Sequence, residues 1–524
     1  MKILSFKSGH DGTVAGADAA RGQLLFSYEA EKDSHPRAAP VTPDTFIDAG
    51  LWFRELPDVL ALSGWSGTGS THATASGAGY FGTGPGSERI GKKTFFGKTL
   101  DYYSSTHERA HIWSAYALSP FPQGQPCYVL VWEGALGDFY EITADLEIRR
   151  LGRVMEAPGA RFAALYGLAD PAFQLPPGQQ RRQDPGRLMA AAALGRNGAA
   201  DTQEQALITH LLEAPLEQAL DKVRLAASPL CNAGTQSQAL RDLAVKLQDA
   251  LFLRFHDFAA RTLTKGYPLL ISGGCGLNCG WNSRWRECGL FQDVFVPPCT
   301  GDSGCAIGTA ADAMRHFTGR AKLDWSVYCG QPFLDDRAAM NGALNGARTE
   351  ELKLETVAQA LLEGKVIGWA RGNCEIGPRA LGNRSILAAP FEASMRVRLN
   401  RIKGRADDSP VAPACLEEDA ARHFSGPLPA PHMLDFHQVT DPQLQAVTHA
   451  DGSARLQTVS RTQNPAFHDL LTAFKAQSGT GVLCNTSLNF PDAGFINKTS
   501  DLCHYARSAG LDGFVAGTSC YWFG

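Results

Sequence analysis

KILSFKSGHDGTVAGADAARGQLLFSYE, residues 2 to 29, alternates three short runs rich in aliphatic, β-branched and aromatic residues with two glycine-bearing turns. KILSFK, TVAGA and QLLFSYE are the expected strands, and SGHDG and DAARG the turns, which together predict a β-meander. The pattern returns at CYVLVWE (127–133), DFYEIT (138–143) and LEIRRLG (146–152), again with glycine turns between strands. Two such halves suggest a duplicated α/β unit.

Outward from these meanders, residues 202 to about 265 are dense in Ala, Leu, Gln and Glu at helical spacing and predict two long helices. Strands PLLISGG and DVFVPP follow, each running into a Gly-rich or Pro-rich loop. From about Leu352 the pattern restarts with an amphipathic helix, TVAQALLEG, and a strand, KVIGWA. ALNGARTEE before it has the composition of a connector, so a boundary is expected near residue 345, giving domains 1–345 and 346–524. A chain of 524 residues exceeds what one core usually organises.

Composition excludes several classes. The chain carries 49 basic and 53 acidic residues, net charge -4, and no long Lys/Arg run, which disfavours nucleic acid as a partner. The N-terminus reaches Gly9, His10 and Asp11 too soon for a signal core, and no stretch attains membrane-spanning length. A cytoplasmic protein without a membrane partner is expected. The 13 cysteines are scattered; Cys275, Cys279, Cys288, Cys299 and Cys305 lack paired C-x-x-C knuckles, so buried thiols are favoured over zinc.

Four motifs carry chemistry. In SSTHERAHIW, Thr106 is placed to cap a helix beginning at His107, and His107 and His111 share one face, within reach of one ion. Glu108 points away from that face, and an ordinary pair of surface histidines is the alternative. Glu133, before Gly134, and Asp302, in PPCTGDSGCAIG, are acidic residues at strand ends; two histidines and two carboxylates suit Fe(II), Mn(II) or Zn(II). His10 and Asp11 occupy the SGHDG turn, where an imidazole can take the proton of an attacking hydroxyl or simply stabilise the turn.

SGGCGLN (272–278), with Gly273, Gly274 and Asn278, follows an apolar strand and is a candidate nucleotide loop; a ligand-free strand-to-helix turn fits it equally. In GNCEIGPRALGNRSIL (372–387), Arg379 and Arg384 are candidates to fork onto phosphate oxygens. Lys403, Arg405, Arg455, Ser487 and Asn489 extend this set into an anion site without a Walker motif.

The duplicated meanders resemble the ASKHA superfamily of sugar kinases, actin and related ATPases. GHDG, SSTHERAH, GRLMAAAALG (186–195), SGGCGLN, GDSG, EIGPRALGNRSIL, LNRIK and NTSLN occur in the order found in antibiotic O-carbamoyltransferases, and the resemblance covers essentially the whole chain. It implies an ASKHA-like duplicated domain followed by a YrdC-like α/β domain. The second would make carbamoyl adenylate from carbamoyl phosphate and ATP, with Mg as a possible companion ion, and the first would pass the carbamoyl group to a hydroxyl.

By motif, His107, His111, Glu133 and Asp302 would hold a divalent metal, usually Fe(II), with His10 as base beside Asp11. Arg379, Lys403, Arg455, Ser487 and Asn489 would handle carbamoyl phosphate and the adenylate. Glu133 replaces the more usual Asp; DDSPVAP (407–413) places Ser409 where a phosphate-binding Arg is expected; FPDAGF follows NTSLN in place of a G-E-P turn. The strings FSYEAEKDS, SSTHERAHIW and VLVWEG look closest to the short members that carbamoylate the 3-hydroxymethyl group of cephems. A small hydroxylated antibiotic is therefore the expected partner, and the oligomeric state is left open, a homodimer included.

Overall fold

The computed structural model describes residues 1–524 except 51, 52, 54, 67–74, 175, 177–180, 338–346 and 524. The boundary expected near residue 345 lies outside the described residues. The chain forms two compact units: Met1–Leu118 with Asp302–Gly524, and Ser119–Gly301.

In the first unit the opening meander forms as expected. Lys2–Lys7, Thr13–Asp18 and Gln23–Glu29 are antiparallel neighbours, and Val59–Ser63 and Lys98–Ser105 extend the sheet in parallel beyond Lys2–Lys7. The second unit repeats this order and sense. Ile148–Arg153, Gly137–Ile142 and Cys127–Trp132 are antiparallel, and Leu269–Ser272 and Val294–Phe295 continue in parallel. Its core is aromatic, with Trp132 stacked on Trp281 at 4.3 Å between ring centroids.

The helical expectation for residues 202 to 265 needs one correction. Helices Thr202–Glu213 and Gln238–Thr262 form, the first opened by an Asp201–Glu204 capping box, but turns occupy most of the segment between them. Pro215, Pro229 and Gly234 break the helical run there.

The first unit also contains an eight-stranded mixed sheet, beginning at Arg348–Glu351 and centred on Ile367–Ala370, Arg384–Ala388 and Val482–Ser487. Alternation along these strands separates two buried layers. Ile386, Ala388 and Cys484 join one cluster, and Trp369, Leu387 and Leu483 the other. Helices Leu354–Leu362 and Pro465–Ser478 cover the latter face, as the TVAQALLEG pattern implied.

Within the same unit, helices His107–Leu118 and Cys305–Thr318 pack on one another, and the second lies on strands Lys2–Lys7 and Thr13–Asp18. All twelve residues of the first are buried, as are residues 305–314 of the second. Their backbones touch: a Cβ on Gly308 would stand 1.8 Å from the Ala110 carbonyl oxygen. Arg109 spans the contact, its Nε and Nη2 each 2.8 Å from the two Asp312 oxygens. Breaking a buried pair of this kind costs about 3–5 kcal/mol.

Gly308→Ala is therefore expected to destabilise the first unit by about 3 kcal/mol through overpacking. Gly91→Ala, where an added Cβ meets nothing within 4 Å, is expected to leave the thermal midpoint unchanged. Calorimetry of the two variants checks the difference.

Candidate active site

The helix-crossing sets the histidines. Thr106 caps as expected, its Oγ1 accepting the Arg109 N–H at 3.2 Å and donating to the Gly82 carbonyl at 2.7 Å. Glu108 points elsewhere, accepting the Gly82 N–H at 2.8 Å. His107 and His111 are not surface residues: both are 0% exposed. Their Nε2 atoms stand 3.2 Å apart, and Asp302 Oδ1 lies 3.6 Å from the first and 3.4 Å from the second. For metal–ligand bonds of about 2.1 Å, ligand atoms in tetrahedral array sit about 3.4 Å apart. Three convergent donors of this chemistry, the two histidines fully buried, fit a divalent transition ion.

Asp302 opens the 3-10 turn Asp302–Gly304, which leads directly into helix Cys305–Thr318. Burial would raise its carboxyl, but His107, Lys7 and His111 outweigh that and hold it well below the usual carboxylate range. His10 lies on the same side, its Nδ1 2.7 Å from Asp11 Oδ2 and 3.7 Å from Asp302 Oδ2. Asp11 has φ 52°, a left-handed conformation that Asp tolerates better than most residues.

Two members of this cluster escaped the sequence reading. Lys7 is 1% exposed, with its ammonium 3.3 Å from Asp302 Oδ2, 4.0 Å over the Trp65 ring, and donating to the His10 carbonyl. KILSFK alternation put it on a strand, but only the fold brings residue 302 beside it. Cys305, read as an ordinary buried thiol, has Sγ 3.8 Å from His107 Nδ1. Its ligand atom and those of His107, His111 and Asp302 all lie within 4.8 Å of one another. Trp65 and Tyr80 wall the site, with ring centroids 5.0 Å and 4.3 Å from that of His107.

Glu133 belongs to the second unit, buried after strand Cys127–Trp132. There it neighbours the SGGCGLN loop: Glu133 joins burial in pushing up the Cys275 thiol. Gly273 has φ 105°, and a Cβ there would meet the Trp132 carbonyl oxygen at 2.3 Å, so close backbone approach requires glycine. Asn278 caps helix Cys279–Glu287 through the Trp281 N–H and donates to Gln248. Gly274 faces open space.

The C-terminal candidates gather round strand Val482–Ser487 and the turn after it. Lys403 Nζ is held by the Ser487 carbonyl at 2.7 Å, Asn489 Oδ1 at 2.8 Å and the Asn489 carbonyl at 3.1 Å. Asn489 spends its amide donors on Phe490 and Ala493, so it positions the lysine. Burial, then Arg405 and Arg37, hold the Lys403 ammonium well below the usual lysine range. Burial and Arg455 lower Arg405 in turn. Among the described residues neither Arg405 nor Arg455 has an acidic ion-pair partner, leaving uncompensated positive charge suited to an anion.

Arg384 lies elsewhere in function. Fully buried, it donates through Nε and Nη2 to Asn497, and through its Nη atoms to the Arg371, Gly372 and Asn383 carbonyls. No N–H remains to fork onto phosphate, so it braces the 371–384 loop. Glu375, passed over in the sequence, organises the same loop by accepting the Leu381, Asn383 and Arg384 N–H groups. Arg379 is half-buried within it.

Residues 83–311 match the family model described as carbamoyltransferase N-terminus, and residues 358–521 the one described as carbamoyltransferase C-terminus. The chain is 46% identical to 3'-hydroxymethylcephem-O-carbamoyltransferase of Amycolatopsis lactamdurans and 44% identical to that of Streptomyces clavuligerus, each over 99% of both chains. It is 33% identical to nodulation protein U of Rhizobium tropici, over 97% of this chain and 94% of that one. With both family regions present and such identity sustained over almost its full length, the chain belongs to the carbamoyltransferase family and is a carbamoyltransferase.

Proposed function

We propose that this enzyme makes carbamoyl adenylate from carbamoyl phosphate and ATP and transfers the carbamoyl group to the 3-hydroxymethyl group of a cephem. The observation that carries the transfer step is the convergence of His107, His111 and Asp302 on one point beside the His10–Asp11 pair. The cephem acceptor rests on the two relatives named for it. Residues 1–345 are read as an ASKHA-like transfer domain, a reading supported by two sheets of matching order and sense, and residues 346–524 as a YrdC-like adenylate-forming domain. Thirteen free thiols suit a cytoplasmic setting, and among the described residues no helix is long and apolar enough to cross a membrane.

The ion is read as Fe(II) or another divalent transition metal held by His107, His111 and Asp302; the place of Glu133 in that set rests on the sequence resemblance. Bound there, it would supply positive charge that stabilises a departing phosphate anion. The Asp11 carboxylate accepts the Nδ1–H of His10, which leaves Nε2 basic. Nε2 takes the acceptor hydroxyl proton while that oxygen bonds to the carbamoyl carbon and the bond from carbon to the AMP oxygen breaks. Arg405 and Arg455 bind the phosphate groups on the activation side, and Lys403, its three N–H groups held by Ser487 and Asn489, adds positive charge beside them, with Arg379 lying in the adjoining loop.

Two steps at two sites predict a clean division. With carbamoyl adenylate supplied, His111→Ala is expected to transfer at least about 100-fold more slowly, the scale of losing one transition-state contact. Lys403→Ala is expected to transfer at near the wild-type rate from supplied adenylate but to lose AMP formation from carbamoyl phosphate and ATP. Wild-type transfer by His111→Ala would overturn the metal assignment.

The lowered Lys403 value also predicts a pH dependence. Its charge is present at low pH and lost as pH rises through that depressed value, so the KM for carbamoyl phosphate is expected to climb with pH. Lys403→Arg, which stays cationic, is expected to flatten the climb. Steady-state kinetics from acid pH up to the ordinary lysine range decide it.

A further inference from the structure

Asp302 and Cys305 are three residues apart across a 3-10 turn, the spacing at which side chains eclipse one another. Opposite them, His107 and His111 are four apart on an α-helix, the spacing at which side chains share a face. Two helical starts thus each contribute a pair of donors to one cluster. Cys305 is 0% exposed, its Sγ is 3.8 Å from His107 Nδ1, and one ligand atom from each of the four residues lies within 4.8 Å of the others. Among the thirteen free cysteines, the described residues place only this one in such a group.

We propose that Cys305 is a direct thiolate ligand of the ion held by His107, His111 and Asp302, adding one sulfur to their two nitrogens and one oxygen. The proposal rests on the reading that these residues bind a metal. Bond formation is a substitution: the S–H bond breaks, the proton leaves to water, and sulfur donates an electron pair to the divalent ion. No oxidant or reductant is consumed. A thiolate among imidazoles and a carboxylate favours Zn(II), Fe(II) or Co(II) and disfavours Mg(II) and Ca(II). It also removes one unit of net charge from the ion's surroundings, which moderates its Lewis acidity.

The competing geometry is that the Cys305 sulfur accepts the Nδ1–H of His107 and so fixes the tautomer that presents Nε2. Spectroscopy separates the two. Full-length protein is loaded with Co(II) under anaerobic conditions, and metal content and near-ultraviolet absorption are measured together. The wild type is expected to bind one Co(II) with a thiolate-to-metal charge-transfer band. Cys305→Ser is expected to lose the band and bind Co(II) more weakly, whereas Cys279→Ser keeps the band and the affinity. Bound Co(II) without the band, or a band that survives in Cys305→Ser, overturns the proposal while leaving the metal reading standing. Failure of the wild type to bind Co(II) overturns both. Should Cys305→Ser not fold, X-ray absorption of the wild-type Co(II) protein decides: a sulfur neighbour at about 2.3 Å is expected, and a shell of only nitrogen and oxygen refutes it.

Discussion

Everything at the candidate transfer site depends on how closely helices His107–Leu118 and Cys305–Thr318 approach. Gly308 gives up its side chain so that the Ala110 carbonyl can sit against it, and the Arg109–Asp312 pair fixes the rotation of one helix on the other. Ser105 and Arg315 complete the Asp312 carboxylate, and Glu88 and the Thr83 carbonyl complete Arg109, so neither charge is buried unanswered. That locked crossing sets two histidines from one helix against Asp302 at the start of the other. Strand Lys2–Lys7, under the second helix, then delivers Lys7 and the His10–Asp11 turn to the same place.

The C-terminal cations are organised differently. Lys403 is held by carbonyl and amide oxygens rather than by carboxylates, which orients its ammonium without neutralising it. Arg405 and Arg455 add positive charge nearby; burial first, and then the neighbouring cations, lower Lys403 and Arg405. A phosphate bound there would relieve that repulsion. The first meander reaches into this region: after strand Gln23–Glu29, Ser34 and His35 bond to Phe495 and Gly494, and Arg37 to Asp492, on the turn that follows Asn489. Ser409, in place of the expected arginine, leaves its carbonyl to Asn400.

Local signals were legible where chemistry and periodicity coincide. The meander, the Thr106 cap and the helical histidine pair each depend on residues within a few positions, and each forms as read. The interior of the site was not legible, because its members lie about 200 to 300 residues apart: Lys7 meets Asp302, Arg109 meets Asp312, and Cys305 meets His107. Arg384, in a glycine-rich string, misled for a related reason. Sequence cannot tell whether a guanidinium faces a cleft or its own backbone, and Arg384 faces its backbone. Glu375, in the same string, was visible as a letter but its three N–H partners were not.

The central claim is that the helix crossing assembles one metal-binding point from His107, His111 and Asp302. Anomalous scattering from crystals of the metal-loaded protein, collected on either side of the metal's absorption edge, tests it most directly. The account predicts one strong peak within about 2.0–2.3 Å of both histidine Nε2 atoms and of an Asp302 oxygen. A peak elsewhere with these three side chains empty, or an ion bound by neither histidine, would contradict it.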